Sequence, residues 1–196
     1  MKMMETAEKY IYTKYAALGE ANRDKRYELI DGTIYFMSPG ASQAHQEIVG
    51  NLYRQLGDFL EGKPCKVFIP PFDVCLNAEG DDDSTTVQPD ILVVCDESKL
   101  DGKRCNGTPD LIVEVLSPSN RKYDMYLKFS IYLRAGVREY WIIDPEDKLI
   151  FVNILKDGKY FANTYSEESI VPVHVLDGCE IDLKRVFRVS KSGQPL

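Results

Sequence analysis

The sequence predicts an α/β fold in which helices pack against a central mixed β-sheet. Residues 91–94 and 111–116 are continuous apolar runs rich in β-branched side chains, the pattern of strands that are covered on both faces. Residues 42–62 instead carry apolar side chains three or four positions apart, as one face of a helix requires. With a strand near residues 66–69, a helix that ends at Gly136 and a strand at 139–144, the predicted core order is helix, strand, strand, strand, helix, strand (αβββαβ).

Further elements are predicted outside this core. Residues 7–18 have the loose helical spacing of a short N-terminal helix. Residues 27–30 and 33–37 should form an N-terminal hairpin, because the intervening Asp-Gly pair suits the positive φ angles of a tight turn. Residues 66–69 and 72–76 are separated by two prolines and form either one bent strand or two short ones. The C-terminal third, from residue 148 onward, is predicted to be an antiparallel β extension.

Length and composition favour one domain over residues 1–196, with its core at about 27–145, because 44% of the side chains are apolar. The first ten residues are charged where a secretory signal needs an apolar stretch, and no later segment has the length of a membrane span. We therefore expect a cytoplasmic protein without membrane contact. The five cysteines lie at least ten positions apart, so they predict reduced, mostly buried thiols and no metal knuckle.

The charge pattern limits how this chain can bind nucleic acid. A net charge of −7 excludes a surface that binds polyanions everywhere by charge neutralisation, so a local basic patch is needed. Residues 79–84 carry four carboxylates, which we interpret as a solvated loop, since the ligand alternation of a calcium-binding loop is missing.

Two acidic side chains are candidates for a metal site. Asp90 begins one of the two buried strands, and Glu114 lies late in the other. If the two strands are antiparallel neighbours, both carboxylates reach the same edge of the sheet. Magnesium prefers a few carboxylates together with water and substrate oxygens, and such a pair supplies that arrangement.

Several stretches together resemble the PD-(D/E)XK nuclease superfamily, and within it a large bacterial family of uncharacterised restriction endonucleases. They are Tyr-Glu-Leu-Ile-Asp-Gly at 27–32, Pro-Asp-Ile-Leu-Val-Val at 89–94, Pro-Asp-Leu-Ile-Val-Glu-Val-Leu-Ser-Pro-Ser at 109–119, Asp124 with Lys128, and Gly-Val-Arg-Glu-Tyr-Trp-Ile-Ile-Asp-Pro at 136–145. The resemblance implies a restriction-endonuclease-like fold, Mg²⁺ (or Mn²⁺) bound by Asp90 and Glu114, and hydrolysis of DNA phosphodiester bonds.

The chain departs from the superfamily pattern at Leu116, where a lysine is expected two residues after the glutamate. In the resembling family the lysine lies on the following helix, and Lys128 is the matching position, with Lys122 a weaker candidate. The Lys128 ammonium would stabilise the phosphate or orient the water, and Asp124 would hold Lys128 in place. The alternative is an ordinary surface salt bridge between Asp124 and Lys128, four positions apart on a helix.

Glu28 and His45 are predicted to support this site. The resemblance makes Glu28 a further ligand or a partner of one, whereas strand alternation alone would make it a solvent-facing residue. His45 points inward from its helix and could bond Glu28 or a phosphate, although a lone inward histidine is also typical of a core. Asp73 and Gln88 are left unassigned because nothing fixes their direction. Tyr126 and Tyr132 are interpreted as packing between helix and sheet.

The leading functional hypothesis is therefore a metal-dependent endonuclease that acts on DNA. Pairing of two chains as a homodimer is compatible with this hypothesis. The alternative from a different class is a non-catalytic nuclease-like domain that binds nucleic acid or a protein partner, which the displaced lysine and the negative net charge would allow. Hydrolysis of a small phosphorylated substrate at the same site is a third possibility.

Overall fold

The structure is a computed structural model that describes residues 10–22, 25–37, 42–76, 83–117 and 124–189, except the side chains of residues 124 and 125. The helical elements are α1 (Tyr12–Ala21), α2 (Gln43–Leu60), a π-helical turn (Asp124–Lys128), α3 (Phe129–Ala135) and α4 (Leu183–Val186). The strands are β1 (Tyr27–Ile30), β2 (Thr33–Phe36), β3 (Lys66–Phe68), β4 (Asp73–Cys75), β5 (Thr86–Val87), β6 (Ile91–Val94), β7 (Arg104–Asn106), β8 (Leu111–Val115), β9 (Glu139–Asp144), β10 (Leu149–Lys156), β11 (Lys159–Ser166), β12 (Ile170–Pro172) and β13 (Glu180–Asp182).

The main sheet has six strands in the order β11-β10-β9-β8-β6-β3. β3 and β6 are antiparallel, β6 and β8 are antiparallel, and β8 and β9 are parallel. The elements α2, β3, β6, β8, α3 and β9 follow one another in the predicted αβββαβ order, which confirms the mixed sheet with helices against it. β10 and β11 extend this sheet as a long antiparallel hairpin, as predicted for the C-terminal third.

A second sheet of five strands, in the order β2-β1-β5-β4-β7, was not expected as a separate layer. The predicted hairpin of β1 and β2 belongs to it, with Asp31 at φ 50° and Gly32 at φ 79°, as a tight two-residue turn requires. The choice left open around Pro70 and Pro71 is also decided. β3 and β4 are two separate strands, and they belong to different sheets.

The main sheet is covered on both faces, which is why β6 and β8 are apolar without alternation. One face packs against α2, where Leu52 and Leu56 share a core with Val93 and Val113. The other face packs against the second sheet and α3, in a core that includes Leu92, Ile112, Ile30, Val74 and Tyr132. Since strand side chains alternate between faces, Glu114 follows Ile112 toward the second sheet.

Helix ends agree with the capping chemistry in most places. Ser42 caps α2, and the helix over the described part of 117–135 ends at Gly136, which has a φ of 78° in the left-handed region. α1 continues to Ala21, beyond the predicted end at residue 18, and the predicted residues 7–9 lie outside the described ranges. Most of the acidic loop at 79–84 lies outside them as well. None of the described helices is long and apolar enough to cross a membrane.

The expectation that all cysteines are reduced is wrong for one pair, because Cys65 and Cys95 form a disulfide. β3 and β6 pair with Lys66 opposite Val94, so one further step of the register brings the two cysteines opposite each other. Their separation of 30 residues concealed this contact, which only the strand pairing creates. The other three, Cys75, Cys105 and Cys179, are free and buried, as expected.

Thiol counting tests this arrangement. Burial raises the pKa of Cys75 to about 12 and the pKa of Cys105 and Cys179 to about 11, so the native protein should react slowly with a thiolate-specific reagent at pH 8. We expect three reactive thiols after unfolding without reductant and five after unfolding with reductant. Five thiols without reductant would show that Cys65 and Cys95 are not bonded.

Candidate active site

Asp90 and Glu114 meet where β6 begins and β8 ends. The antiparallel register pairs Ile91 with Val113, and one further step brings Asp90 opposite Glu114. Asp90 leaves the ladder at this point, and its Oδ2 accepts a hydrogen bond of 2.8 Å from the backbone N–H of Val115. The prediction from the sequence required the two strands to be antiparallel neighbours, and they are. The Asp90 carboxylate lies against the peptide group that joins Glu114 to Val115.

Lys128 lies between two glutamates. Its Nζ is 2.9 Å from Glu114 Oε1 and 3.0 Å from Glu28 Oε1. The exposed fractions are 2% for Lys128, 3% for Glu114 and 0% for Glu28, so all three charged groups are buried. The alternative that Lys128 forms an ordinary surface salt bridge is wrong, because Lys128 is not at the surface.

Glu28 is buried because β1 is covered on both faces. All four residues of β1 are buried, so the solvent-facing alternative for Glu28 is wrong. That alternative assumed a hairpin with one wet face, and the second sheet removes this condition by packing against the main sheet. The buried ion pairs bring β1, β8 and the end of the π-helical turn together at one point.

Tyr132 belongs to the same cluster, although its sequence position suggested packing alone. Its hydroxyl donates a hydrogen bond of 2.6 Å to Glu114 Oε1, while its ring is fully buried in the core. Burial, and then the negative charge of Glu114, raise the pKa of Tyr132 well above its usual value, so it remains a donor. The available signal was the spacing of four from Lys128, which puts both side chains on one helix face. Tyr126, also predicted to pack, is 76% exposed.

Removing the Tyr132 hydroxyl should destabilise the protein measurably. In Tyr132→Phe, Glu114 Oε1 loses a buried donor, and we expect the free energy of unfolding to fall by about 1–3 kcal/mol. Chemical denaturation followed by circular dichroism measures the change. Tyr126→Phe is the matched control, because it removes the same atom from an exposed ring on the same helical segment. Equal stability of the two variants would contradict the role given to the Tyr132 hydroxyl.

His45 contacts Asp90 from the first turn of α2. Its Nε2 is 3.2 Å from Asp90 Oδ2, and the donor role depends on the tautomer of the ring. Ser42 fixes this turn, since its Oγ accepts from the His45 backbone N–H at 3.2 Å. The side chains of His45 and Asp90 are 12% and 21% exposed, so this pair is the more accessible side of the site. The sequence had suggested Glu28 or a phosphate as the partner of His45, and Asp90 had not been considered.

Gln88 and Asp73, which the sequence left unassigned, connect to the same cluster. The backbone N–H of Gln88 donates to Glu28 Oε1 at 3.1 Å. The Gln88 side chain donates to Asp73 Oδ1 at 2.8 Å, and the Tyr15 hydroxyl donates to the same oxygen at 3.2 Å. Gln88 precedes Asp90 by two residues, so this network reaches the edge of the site.

Two further acidic residues lie in the stretches that carry the resemblance, Asp110 and Asp124. Asp110, from the second Pro-Asp pair, accepts from the Cys95 backbone N–H at 2.8 Å and from Arg138 at 2.8 Å, which agrees with a structural role at the start of β8. Asp124 begins the π-helical turn that ends at Lys128, and its side chain lies outside the described part of the structure.

The donor chemistry of the site suits a hard divalent cation. Within the ranges that the structure describes, no group of three or more His, Cys, Asp or Glu side chains is arranged to hold a metal ion. Asp90 and Glu114, on adjacent strands, are the two carboxylates proposed from the sequence as metal ligands. Mg²⁺ needs only one or two carboxylates because it keeps several waters and takes oxygens from its substrate, so these residues fit Mg²⁺ or Mn²⁺.

Comparisons with known proteins agree with the fold. A solved structure from Anabaena variabilis, described as "a putative nuclease belonging to DUF820", is similar with a TM-score of 0.65 and 18% sequence identity. The similarity covers 84% of this chain and 90% of that one. At this identity, the match supports the restriction-endonuclease-like fold and nothing finer.

Sequence comparisons identify the family. An uncharacterised protein of Synechocystis sp., slr1290, is 34% identical over 119 residues, which are 61% of this chain and 60% of that protein. The match thus spans about three fifths of the length of this relative. The model of the Uma2 family, described as "Putative restriction endonuclease", matches residues 12–184. This match covers most of the chain, so the protein belongs to the Uma2 family.

Proposed function

We propose that this protein is a metal-dependent endonuclease that hydrolyses DNA phosphodiester bonds, with Asp90 and Glu114 as the ligands of Mg²⁺ or Mn²⁺. The observation that carries the proposal is the 2.8 Å hydrogen bond from Val115 N–H to Asp90 Oδ2, which holds one carboxylate beside the strand that bears the other. Lys128 Nζ, 2.9 Å from Glu114, adds a cation at the same point.

The carboxylates of the site support a divalent cation. Asp90 and Glu114 lie on adjacent strands, where Asp90 accepts from Val115 N–H, and Glu28 contacts the same ammonium group as Glu114. Buried carboxylates are normally paired or coordinated to metal. A divalent ion would be held between Asp90 and Glu114.

Each side chain of the cluster has a defined part in the proposed reaction. A metal held by Asp90 and Glu114 would lower the pKa of a bound water and would offset charge on the phosphate. Lys128 donates to a phosphate oxygen or orients the attacking water, as electrostatic catalysis requires. Glu28, Tyr132 and His45 are positioning residues, because they hydrogen bond or ion pair with Lys128, Glu114 and Asp90, respectively. We also propose Asp124 as a positioning residue for Lys128.

The burial of Lys128 favours a second candidate, a nuclease-like domain that binds nucleic acid without cutting it. With 2% exposure and two carboxylates within 3.0 Å, Lys128 meets a phosphate only after a local rearrangement. A site that never rearranges would keep the fold and lose the reaction.

Plasmid cleavage and metal binding distinguish the two candidates. Supercoiled plasmid is incubated with the protein in Mg²⁺, in Mn²⁺ and in EDTA, and metal binding is measured separately by calorimetry. Nicking that requires the metal supports the endonuclease. A mobility shift without nicking supports the binding domain. If DNA is neither bound nor cut and no metal binds, both are excluded.

We further propose that residues 1–196 act as one domain and that two copies pair to cut both strands. Two aligned sites would produce linear plasmid early in the reaction, whereas independent monomers would accumulate nicked circles first. Sedimentation of the protein on a short duplex measures the number of copies directly.

A further inference from the structure

The outer edge of β11 is open to further pairing. β11 is the last strand of the main sheet, and no strand in the described part of the chain pairs with its outer side. All eight of its residues pair in register with β10, without a bulge. The strand contains no proline, and its only charged residue is Lys159 at the first position. Proteins normally protect an edge strand with proline, charges or a bulge, so β11 has the features of a strand that pairs further.

The hairpin determines which backbone groups of β11 face outward. β10 and β11 are joined by Asp157 and Gly158, whose φ angles of 49° and 72° are those of a type I′ turn. In such a hairpin the pair that flanks the turn, Lys156 and Lys159, exchanges both hydrogen bonds, and bonded pairs then alternate along the ladder. The backbone N–H and C=O groups that point away from β10 are therefore those of residues 160, 162, 164 and 166.

These outward-facing groups allow β11 to pair with itself. When Asn163 lies opposite Asn163 of a second copy in an antiparallel pair, Ala162 lies opposite Thr164 and exchanges both hydrogen bonds with it. Tyr160 lies opposite Ser166 in the same register. A two-fold axis repeats each pair, as an interface between identical surfaces requires. This register pairs all four outward-facing positions with one another.

The side chains match in the same register. Phe161 is 55% exposed, and it lies opposite Tyr165 of the second copy on one face of the sheet, where aromatic pairs stabilise antiparallel strands. Two residues further out, Lys159 lies opposite Glu167 of the second copy, so opposite charges meet at both ends of the paired strands. Glu167 contacts Lys148 within the chain, and its side chain is still 41% exposed. β11 is therefore complementary to itself in backbone, aromatic and charged groups.

We propose that two copies of this chain associate through β11, so that their main sheets join into one continuous sheet around a two-fold axis at Asn163. The inference rests on the proposed pairing of two copies, for which it names the surface, but the association requires neither DNA nor metal. An interface of two strands is small, so the dimer should be weak, with a dissociation constant of roughly 1–100 µM.

Sedimentation equilibrium of the unaltered protein, without DNA or metal, measures this association. We expect a reversible equilibrium between monomer and dimer at concentrations up to about 200 µM, which is above the expected dissociation constant. A protein that stays monomeric over this range overturns the inference.

A charge exchange tests the register. Lys159→Glu brings two acids together at each end of the paired strands, and Glu167→Lys brings two lysines together there. Each variant alone should dimerise about threefold to tenfold more weakly than the parent, because like charges directly opposite each other destabilise paired strands. In a mixture of the two variants, opposite charges meet again at both ends. The mixed dimer, measured with a fluorescent label on one variant, should therefore form with nearly the parent affinity.

Lys66→Glu is the matched control for the charge change. Its side chain is 51% exposed on β3, at the opposite edge of the main sheet, and the variant should keep the parent affinity. If Lys66→Glu weakens association as much as Lys159→Glu does, the effect is that of net charge and the inference is overturned. It is also overturned if the mixed variants associate no better than each variant alone.

Thr164→Pro tests the backbone contacts. This change removes an N–H that faces the second copy and none that bonds β10, and proline is tolerated on an edge strand at such a position. We expect dimerisation to weaken by at least about tenfold, since a central pair of hydrogen bonds is lost on both sides of the two-fold axis. A folded variant that dimerises like the parent contradicts the inference. If the variant does not fold, the charge exchange still decides.

The failure of the proposed function is distinguishable from the failure of this inference. A dimer that never cleaves plasmid with Mg²⁺ or Mn²⁺ removes the proposed function and leaves the β11 interface in place. A monomer removes the β11 interface, whether or not it cleaves plasmid.

Discussion

Replacing Asp90 by asparagine is expected to reduce metal-dependent plasmid nicking by about 10³-fold, equivalent to about 4 kcal/mol of lost transition-state stabilisation. The amide keeps an oxygen that can accept from Val115 N–H, so the local backbone should be retained. The lost carboxylate charge removes a ligand for Mg²⁺. Initial rates measure the loss of nicking, and calorimetric titration measures the loss of metal binding. We expect both losses in the same variant.

The matched control for this change is Asp110→Asn. Asp110 also follows a proline at the start of a buried strand and also accepts a backbone N–H at 2.8 Å, from Cys95. Its other partner is Arg138, which is 61% exposed, so the ion pair contributes little to stability. We expect Asp110→Asn to nick plasmid at nearly the parent rate. If Asp90→Asn and Asp110→Asn nick plasmid at the same rate, whether high or low, the assignment of Asp90 as a ligand is contradicted.

Much of the fold could be predicted because its signals are local. The apolar runs of β6 and β8, the helical spacing of α2 and the turn at Asp31-Gly32 each lie within a few residues of chain. The second sheet could not be predicted in this way. It joins β1 and β2 to β4, β5 and β7, and none of the short strands β4, β5 and β7 carries enough pattern to identify its neighbours.

The candidate site was also predictable only in part. Asp90 and Glu114 could be brought together from the sequence because one assumption, antiparallel neighbours, was sufficient. Lys128 came from the resemblance alone, since its spacing from Asp124 equally fitted a surface pair. The roles of Tyr132 and Gln88 depended on contacts across 18 and 60 residues of chain, to Glu114 and Glu28, and no local pattern encodes those contacts.

The disulfide is another contact between distant residues that local spacing could not predict. Cysteine spacing along the chain predicted free thiols, yet the pairing of β3 with β6 brings two of them together. Spacing identifies metal knuckles because their ligands are close in sequence, whereas a cross-strand pair is defined by register. A correct assignment of the β3–β6 register would have identified Cys65 and Cys95.

Replacing Lys128 by methionine should cause a large loss of stability. The change keeps an unbranched, apolar side chain of similar length, but it removes the cation between Glu28 and Glu114, which are 0% and 3% exposed. Breaking a buried ion pair by removing one partner usually costs about 3–5 kcal/mol. Denaturant unfolding measures the loss. Lys184→Met, which breaks an ion pair between side chains that are 72% and 68% exposed, should leave unfolding unchanged.

A second substitution separates the structural role of Lys128 from its proposed catalytic role. Glu28→Gln keeps an oxygen for the Gln88 N–H and removes one of the two buried negative charges. The Glu28→Gln/Lys128→Met protein should therefore recover about 1–2 kcal/mol relative to Lys128→Met alone, because neighbouring charges couple. If this protein folds and binds metal but fails to nick plasmid, while Glu28→Gln alone still nicks it, the ammonium acts in catalysis. If it folds and nicks plasmid at the parent rate, Lys128 serves only to balance the buried carboxylates, and the electrostatic catalyst lies elsewhere.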